Sequence, residues 1–221
     1  MNISWKICGM RDTHNIELIS HLKPNYMGFI FYPASKRFVG ENFSIPSLPI
    51  SIHKVGVFVN ENVYNILEKT KKYGLSTIQL HGEETMDFCE ELASKTSLNI
   101  IKAFGVSEDF DFSILESYST YVNAFLFDTK GQERGGNGVS FDWNILKNYN
   151  LNVPLWISGG ISLENIQELF TFLESHPQLL IEVIDLNSRF EDSPALKNLE
   201  KLKAFQSILE QQKNNYSQNN I

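Results

Sequence analysis

The chain of 221 residues is 42% hydrophobic and 20% charged, with 26 acidic against 19 basic side chains, a net charge of −7 and a pI near 5.3. That length and composition can bury one substantial core, which excludes a disordered chain and predicts one domain over residues 1–212 ahead of a polar, frayed tail at 213–221. The acidic balance argues against nucleic acid or an anionic membrane as partner, and the absence of an apolar run of about 18 residues or of a basic leader places the chain in the cytoplasm.

Short β-branched or aromatic runs occur at residues 5–8, 27–31, 55–59, 77–80, 100–103, 124–127, 154–157 and 181–184. They recur every 22 to 30 residues, which leaves room for a strand, a loop and a helix each time and points to parallel βα units, not hairpins. After Asn60 the apolar period becomes helical, grouping Val63, Ile66 and Leu67, and a basic turn at 69–72 ends at Gly74. After Gly82 a second stripe groups Met86, Cys89, Leu92 and Ala93. Ser162 is expected to cap a helix carrying Ile166, Leu169, Phe170 and Leu173, and the last helix follows Pro194 through Leu199, Leu202, Phe205 and Leu209. Between the second and third strands, Pro46 and Pro49 discourage helix, so the second helix is expected to be short or missing. The stretch 107–119 is only weakly periodic. Eight parallel units predict an α/β fold, a single (β/α)8 TIM barrel, because closure leaves no edge strand.

In such a barrel the active site forms where the strands end. Just past the predicted strands stand Cys8-Gly9, Ser35-Lys36-Arg37, Asn60, His81-Gly82, Asp128, Gly159-Gly160, and Asp185 with Ser188. Gly159-Gly160, between a strand and the Ser162 helix, offers backbone donors and a positive helix end, the requirements of a phosphate site, with Asn187-Ser188 as its other half. A plain strand-to-helix turn is the alternative. Gly135, Gly136 and Gly138 follow Asp128 in a loop that has Asn137 where a nucleotide-binding loop needs lysine, so a mobile lid over the substrate is the expectation. Cys89 lies on a helix stripe and is expected to pack, whereas Cys8, at a strand end, is open to packing or catalysis, since a thiol of pKa roughly 8.5 must be activated to act as a base. Asp128, where a strand ends, would be raised by desolvation and suit a general acid. The five histidines show no metal-ligand spacing, and no metal is expected.

Taken in order, Lys6-Ile7-Cys8-Gly9, Gly28-Phe29, Ser35-Lys36-Arg37-Phe38-Val39, Val57-Phe58-Val59-Asn60, Gln79-Leu80-His81-Gly82, Phe127-Asp128-Thr129 with Gly135-Gly136, Phe141-Asp142-Trp143 and Gly159-Gly160-Ile161 resemble the phosphoribosylanthranilate isomerases of tryptophan biosynthesis over nearly the whole chain. The resemblance implies a cofactor-free Amadori rearrangement of a small phosphorylated substrate, with Asp128 as the acid that opens the ribose ring and Cys8 as the base that takes the C2 proton. It also implies that Arg37 holds the anthranilate carboxylate, that His81 and Asp185 touch the ribose or order the site, and that Gly159, Gly160, Ser188 and the backbone of Arg189 hold the phosphate. Asp142 is expected either to cap Trp143 or to touch substrate. Monomer and homodimer both stay open.

Several positions depart from the family pattern. Asn137 and Val139 replace a polar residue and a lysine in the lid, and Arg189 stands where a glycine is usual after strand 8. Residues 194–198 lack the usual glycine and aspartate. Two other readings stay open from the sequence: a related sugar-phosphate isomerase, which would carry aspartate in place of Cys8, and a non-catalytic barrel that binds a phosphorylated ligand.

Overall fold

The computed structural model describes residues 3–129 and 142–219, and the side chains up to 215. Eight parallel strands close into a barrel in sequential order: β1 (Ser4–Ile7), β2 (Tyr26–Ile30), β3 (His53–Phe58), β4 (Thr77–Leu80), β5 (Asn99–Val106), β6 (Ala124–Thr129), β7 (Leu155–Ile157) and β8 (Ile181–Leu186). Every apolar run singled out from sequence forms one of them. The described helices are α1 (Thr13–Ser20), α2 (Val63–Tyr73), α3 (Met86–Lys95), α4 (Ile166–Ser175) and α5 (Leu199–Asn219). Short 3-10 segments, Phe112–Tyr118 and Trp143–Asn148, stand in for helices after β5 and β6. No helix forms between β2 and β3, where Pro46 and Pro49 fall. After β8 a small antiparallel ribbon, β9 (Glu191–Ser193) and β10 (Leu196–Lys197), folds back before α5. No described helix is long and apolar enough to cross a membrane.

The helix boundaries have local causes. Asp12, Asn62 and Thr85 accept hydrogen bonds from the amides of Asn15, Asn65 and Phe88 and cap α1, α2 and α3. Asn198 caps α5 by accepting from Lys201, so at this position asparagine does what an aspartate would do. Asp142 caps the Trp143 segment by accepting from Asn144, which favours the capping alternative for it. Ser162 is not the cap expected of it: α4 begins at Ile166, after a turn in which Asn165 Oδ1 accepts from the Ser162 amide. The last helix continues through residues 213–219, the polar stretch expected to fray.

Alternation along each strand sorts side chains between two cores. Trp5, Ile7, Phe29, Ile78, Leu80, Phe125, Phe127, Ile184 and Leu186 face outward and pack against the helices. Val55, Ile101, Ala103, Ala124, Leu126, Trp156 and Val183 fill the barrel interior. The same period of two carries inward the residues between the outward ones, namely Lys6 and Cys8 on β1, Gln79 and His81 on β4, Asp128 on β6 and Asp185 on β8. Strand pairing then sets Lys6 level with Asp185. The polar groups thus occupy the barrel above its apolar plug, toward the C-terminal ends of the strands.

Candidate active site

One cavity of about 390 Å³ opens at the C-terminal end of the barrel, lined by Cys8, Arg37, His81, Asp128, Gly159, Gly160, Asp185 and Ser188. These are residues that the sequence singles out, brought together from six different strands or the loops after them. The Arg189 side chain is placed elsewhere. It is exposed, in a neighbouring recess with Leu163, Glu164 and Lys201, in a 3-10 turn (Ser188–Phe190) that directs it away from the main cavity. The lid residues Gly135, Gly136 and Gly138, with Asn137 and Val139, lie outside the described residues. Gln79, Ile30, Tyr32 and Val57 also line the cavity, and the last three give it an apolar wall beside Cys8.

The Gly159-Gly160 corner, expected from the sequence to take an anion, depends on backbone shape. Gly159 and Gly160 have φ of +89° and +62°, the left-handed region that glycine tolerates. At Gly159 a Cβ would stand 2.3 Å from Thr129 Oγ1 and 2.8 Å from Asp128 Oδ1, so the missing side chain is what lets this corner lie against Asp128. Asn165 Nδ2 donates to the Gly160 carbonyl and closes the turn. Because α4 begins only at Ile166, the glycines meet a turn ahead of the helix and not its first residues, a correction to the expected arrangement.

The centre of the site is a buried polar chain that sequence reasoning missed, since Lys6 and Gln79 entered it only as parts of longer strings. Lys6 is fully buried, and its Nζ donates to Asp185 Oδ2 at 2.6 Å and to Gln79 Oε1 at 2.8 Å. Gln79 Nε2 lies 2.8 Å from His81 Nδ1, and His81 Nε2 lies 3.4 Å from Asp128 Oδ2. Asp128 Oδ1 accepts from the Thr129 amide at 2.8 Å. Burial alone would lower the Lys6 ammonium, but the Asp185 carboxylate, and after it Cys8, raise it above the ordinary lysine value. Asp185 Oδ1 is buried with no hydrogen-bond partner among the described residues, an acceptor left for something that enters the cavity.

Cys8 is 5% exposed, and burial pushes its thiol above the ordinary value, while the charges of Lys6 and, more weakly, Lys197 pull it back. Cys8 Sγ and Lys6 Cε both lie about 3 Å from the point where a Cβ on Gly28 would stand, so the bare Gly28 makes room for thiol and lysine together. Cys89, on α3, is fully buried and is pushed up to about 11 by burial, in keeping with a packing role.

At the far rim, Arg37 Nε and Nη2 grip Glu191 at 2.9 and 2.7 Å. Lys197 Nζ donates to Glu191 Oε1 and to Asn187 Oδ1 at 2.6 and 2.8 Å. Burial outweighs that pairing and pulls Lys197 down to about 8. The cavity therefore has the ion cluster of Arg37, Glu191 and Lys197 at its rim, a carboxyl and a thiol in its middle, and a glycine corner. That set suits a ligand with two anionic groups rearranged by proton transfer.

Known proteins are similar to this chain in sequence and in fold. The family model of N-(5'-phosphoribosyl)anthranilate isomerase matches residues 5–207. Isomerases of that name from Parabacteroides distasonis and Phocaeicola vulgatus are 43% and 42% identical over 209 and 193 residues, covering 92% and 87% of this chain and 92% and 91% of theirs. Among solved structures, phosphoribosyl anthranilate isomerase from Thermus thermophilus superposes with a TM-score of 0.78 at 26% identity, over 95% of this chain and 99% of its own. The Thermotoga maritima enzyme does so with a TM-score of 0.74 at 30% identity, over 92% and 96%. A further structure, at 28% identity and a TM-score of 0.72 over the same shares, holds reduced 1-(o-carboxyphenylamino)-1-deoxyribulose 5-phosphate. With the family model matching most of its length and relatives above 40% identity over nearly all of it, the chain belongs to the N-(5'-phosphoribosyl)anthranilate isomerase family.

Proposed function

We propose that Asp128 and Cys8 are the acid and the base with which this isomerase of tryptophan biosynthesis converts N-(5-phosphoribosyl)anthranilate to 1-(2-carboxyphenylamino)-1-deoxyribulose 5-phosphate. The observation that carries the reading is that one cavity is lined by both groups, by the Gly159-Gly160 corner and by Arg37. The phosphate sits on Gly159, Gly160, Ser188 and the Arg189 backbone, and the Asp185 oxygen without a partner accepts a ribose hydroxyl. The aromatic ring lies against Ile30, Tyr32 and Val57 with its carboxylate toward Arg37, whose guanidinium is itself held by Glu191 through Nε and Nη2.

Asp128 gives its proton to the ribose ring oxygen, the C1–O bond breaks, and the nitrogen lone pair forms a C1=N iminium. The new positive charge stands close to Cys8 and, with Lys6, favours thiolate over buried thiol. The thiolate takes the C2 proton, and the C2–H electrons become the C1=C2 bond of an enolamine and neutralise the nitrogen. A proton then moves from the C2 hydroxyl to C1, which leaves the ketose. The enzyme works in the cytoplasm on a free metabolite, as monomer or homodimer; a related structure is of monomers generated from the dimeric Thermotoga maritima enzyme.

The test is turnover of N-(5-phosphoribosyl)anthranilate by Cys8→Ala and Asp128→Asn, each expected to fall by about 100-fold or more with an unchanged circular dichroism spectrum. Near-normal turnover in either variant removes that residue from the mechanism. Growth of a tryptophan auxotroph lacking the isomerase separates this reading from a barrel that only binds its ligand.

A further inference from the structure

The acid of the mechanism above has a histidine at its side, and the protonation pattern of that histidine is settled by residues deeper in the barrel. An ammonium has only donors, so Lys6, 2.8 Å from the Gln79 side chain, requires the carboxamide to turn its oxygen inward. The Gln79 NH2 is then left for His81 Nδ1, also at 2.8 Å, and that ring nitrogen must accept. The ring proton of neutral His81 therefore sits on Nε2, the atom 3.4 Å from Asp128 Oδ2. Asp185, at 2.6 Å, keeps Lys6 in place as the anchor of the chain.

The direction of this chain matters for an acid. A histidine presenting a bare Nε2 would accept the Asp128 proton and hold it away from the substrate. One presenting Nε2–H instead donates to the carboxyl oxygen, leaves the acidic proton to the ring oxygen, and stabilises the carboxylate once that proton has gone. We infer that Gln79, backed by Lys6, is a positioning residue that locks His81 in its Nε2–H tautomer so that Asp128 delivers its proton to the substrate. The inference rests on the reading of Asp128 as the acid.

Nitrogen-15 NMR of the ligand-free, histidine-labelled protein reads the tautomer directly, the His81 signals being those lost in His81→Asn. The expected pattern is an unprotonated Nδ1 and a protonated Nε2; a protonated Nδ1 in the native protein overturns the inference without any activity measurement. In Gln79→Glu the side chain has only acceptors, so a proton is expected on Nδ1, with kcat lower by about 10- to 100-fold and KM within about threefold. Gln79→Glu with Nδ1 protonated but kcat within about twofold of the native value also overturns it. Retained turnover in Asp128→Asn would defeat the acid assignment itself, while the tautomer stands or falls on the nitrogen signals alone.

Discussion

Arg37 and Glu191, 154 residues apart, meet in a two-pronged ion pair in which Arg37 Nε and Nη2 donate at 2.9 and 2.7 Å and both side chains are nearly buried. Burial alone would raise the Glu191 carboxyl, but Arg37 and Lys197 hold it below its ordinary value of 4.5. A carboxylate depressed in the fold adds stability that is present above its unfolded pKa and lost as pH falls through the folded one. Glu191→Gln should therefore cost about 3 kcal/mol in urea unfolding at pH 7, where it strands buried cations. The gap to the native protein should shrink as the pH falls below the ordinary carboxylate value. A gap that does not change with pH would mean that the pair contributes no linked stability.

Cys8 is set apart from an ordinary thiol by burial on one side and Lys6 on the other. In a Cys89→Ala background, the pH at which iodoacetamide alkylates Cys8 at half its maximal rate should lie above the ordinary value of 9.0. Lys6→Met should move it higher still, because the charge that most favours the thiolate is gone. A midpoint that falls on removing Lys6 would show that the two groups are not coupled as described.

Gly159→Ala places a methyl group 2.3 Å from Thr129 Oγ1 and 2.8 Å from Asp128 Oδ1, on a backbone with φ of +89°. Either the corner or Asp128 must shift, and kcat should fall by about 100-fold, the scale on which a displacement of about 1 Å acts. Phosphate-dependent binding should weaken too, as judged by the inhibition constant of ribose 5-phosphate. Native kinetics would show that the corner relaxes without moving the acid.

Ala195 has φ of +69°, left-handed backbone that favours glycine, at the corner between β9 and β10. This segment is the one that lacks the usual glycine of the family. Ala195→Gly should stabilise the protein by about 0.5–1 kcal/mol, after the extra freedom of glycine in the unfolded chain is set against the relief of strain. The expected rise in Tm is about 1–4 °C by calorimetry. No rise would mean that the turn carries little strain.

Much of this protein was legible in its sequence, because the evidence for it is local. The apolar rhythm marked all eight strands, Pro46 and Pro49 accounted for the missing helix, and glycine and polar residues past the strand ends marked the mouth of the barrel. Cys8 and Asp128 were marked by their place at strand ends, where a barrel forms its site. The exact start of α4 was not legible, because Asn165, not Ser162, closes the turn before it. The direction of the Arg189 side chain was not legible for a similar reason, as the 3-10 turn after β8 carries it to a neighbouring recess. The partners of Lys6 lie 73 and 179 residues away, and Glu191 reaches Arg37 across 154. Such pairings are set by the closure of the barrel and the register of its strands, which bring together side chains that no local pattern relates. The sequence by itself determined which residues stand where the strands end; only the closed barrel decided which of them face inward and hold one another.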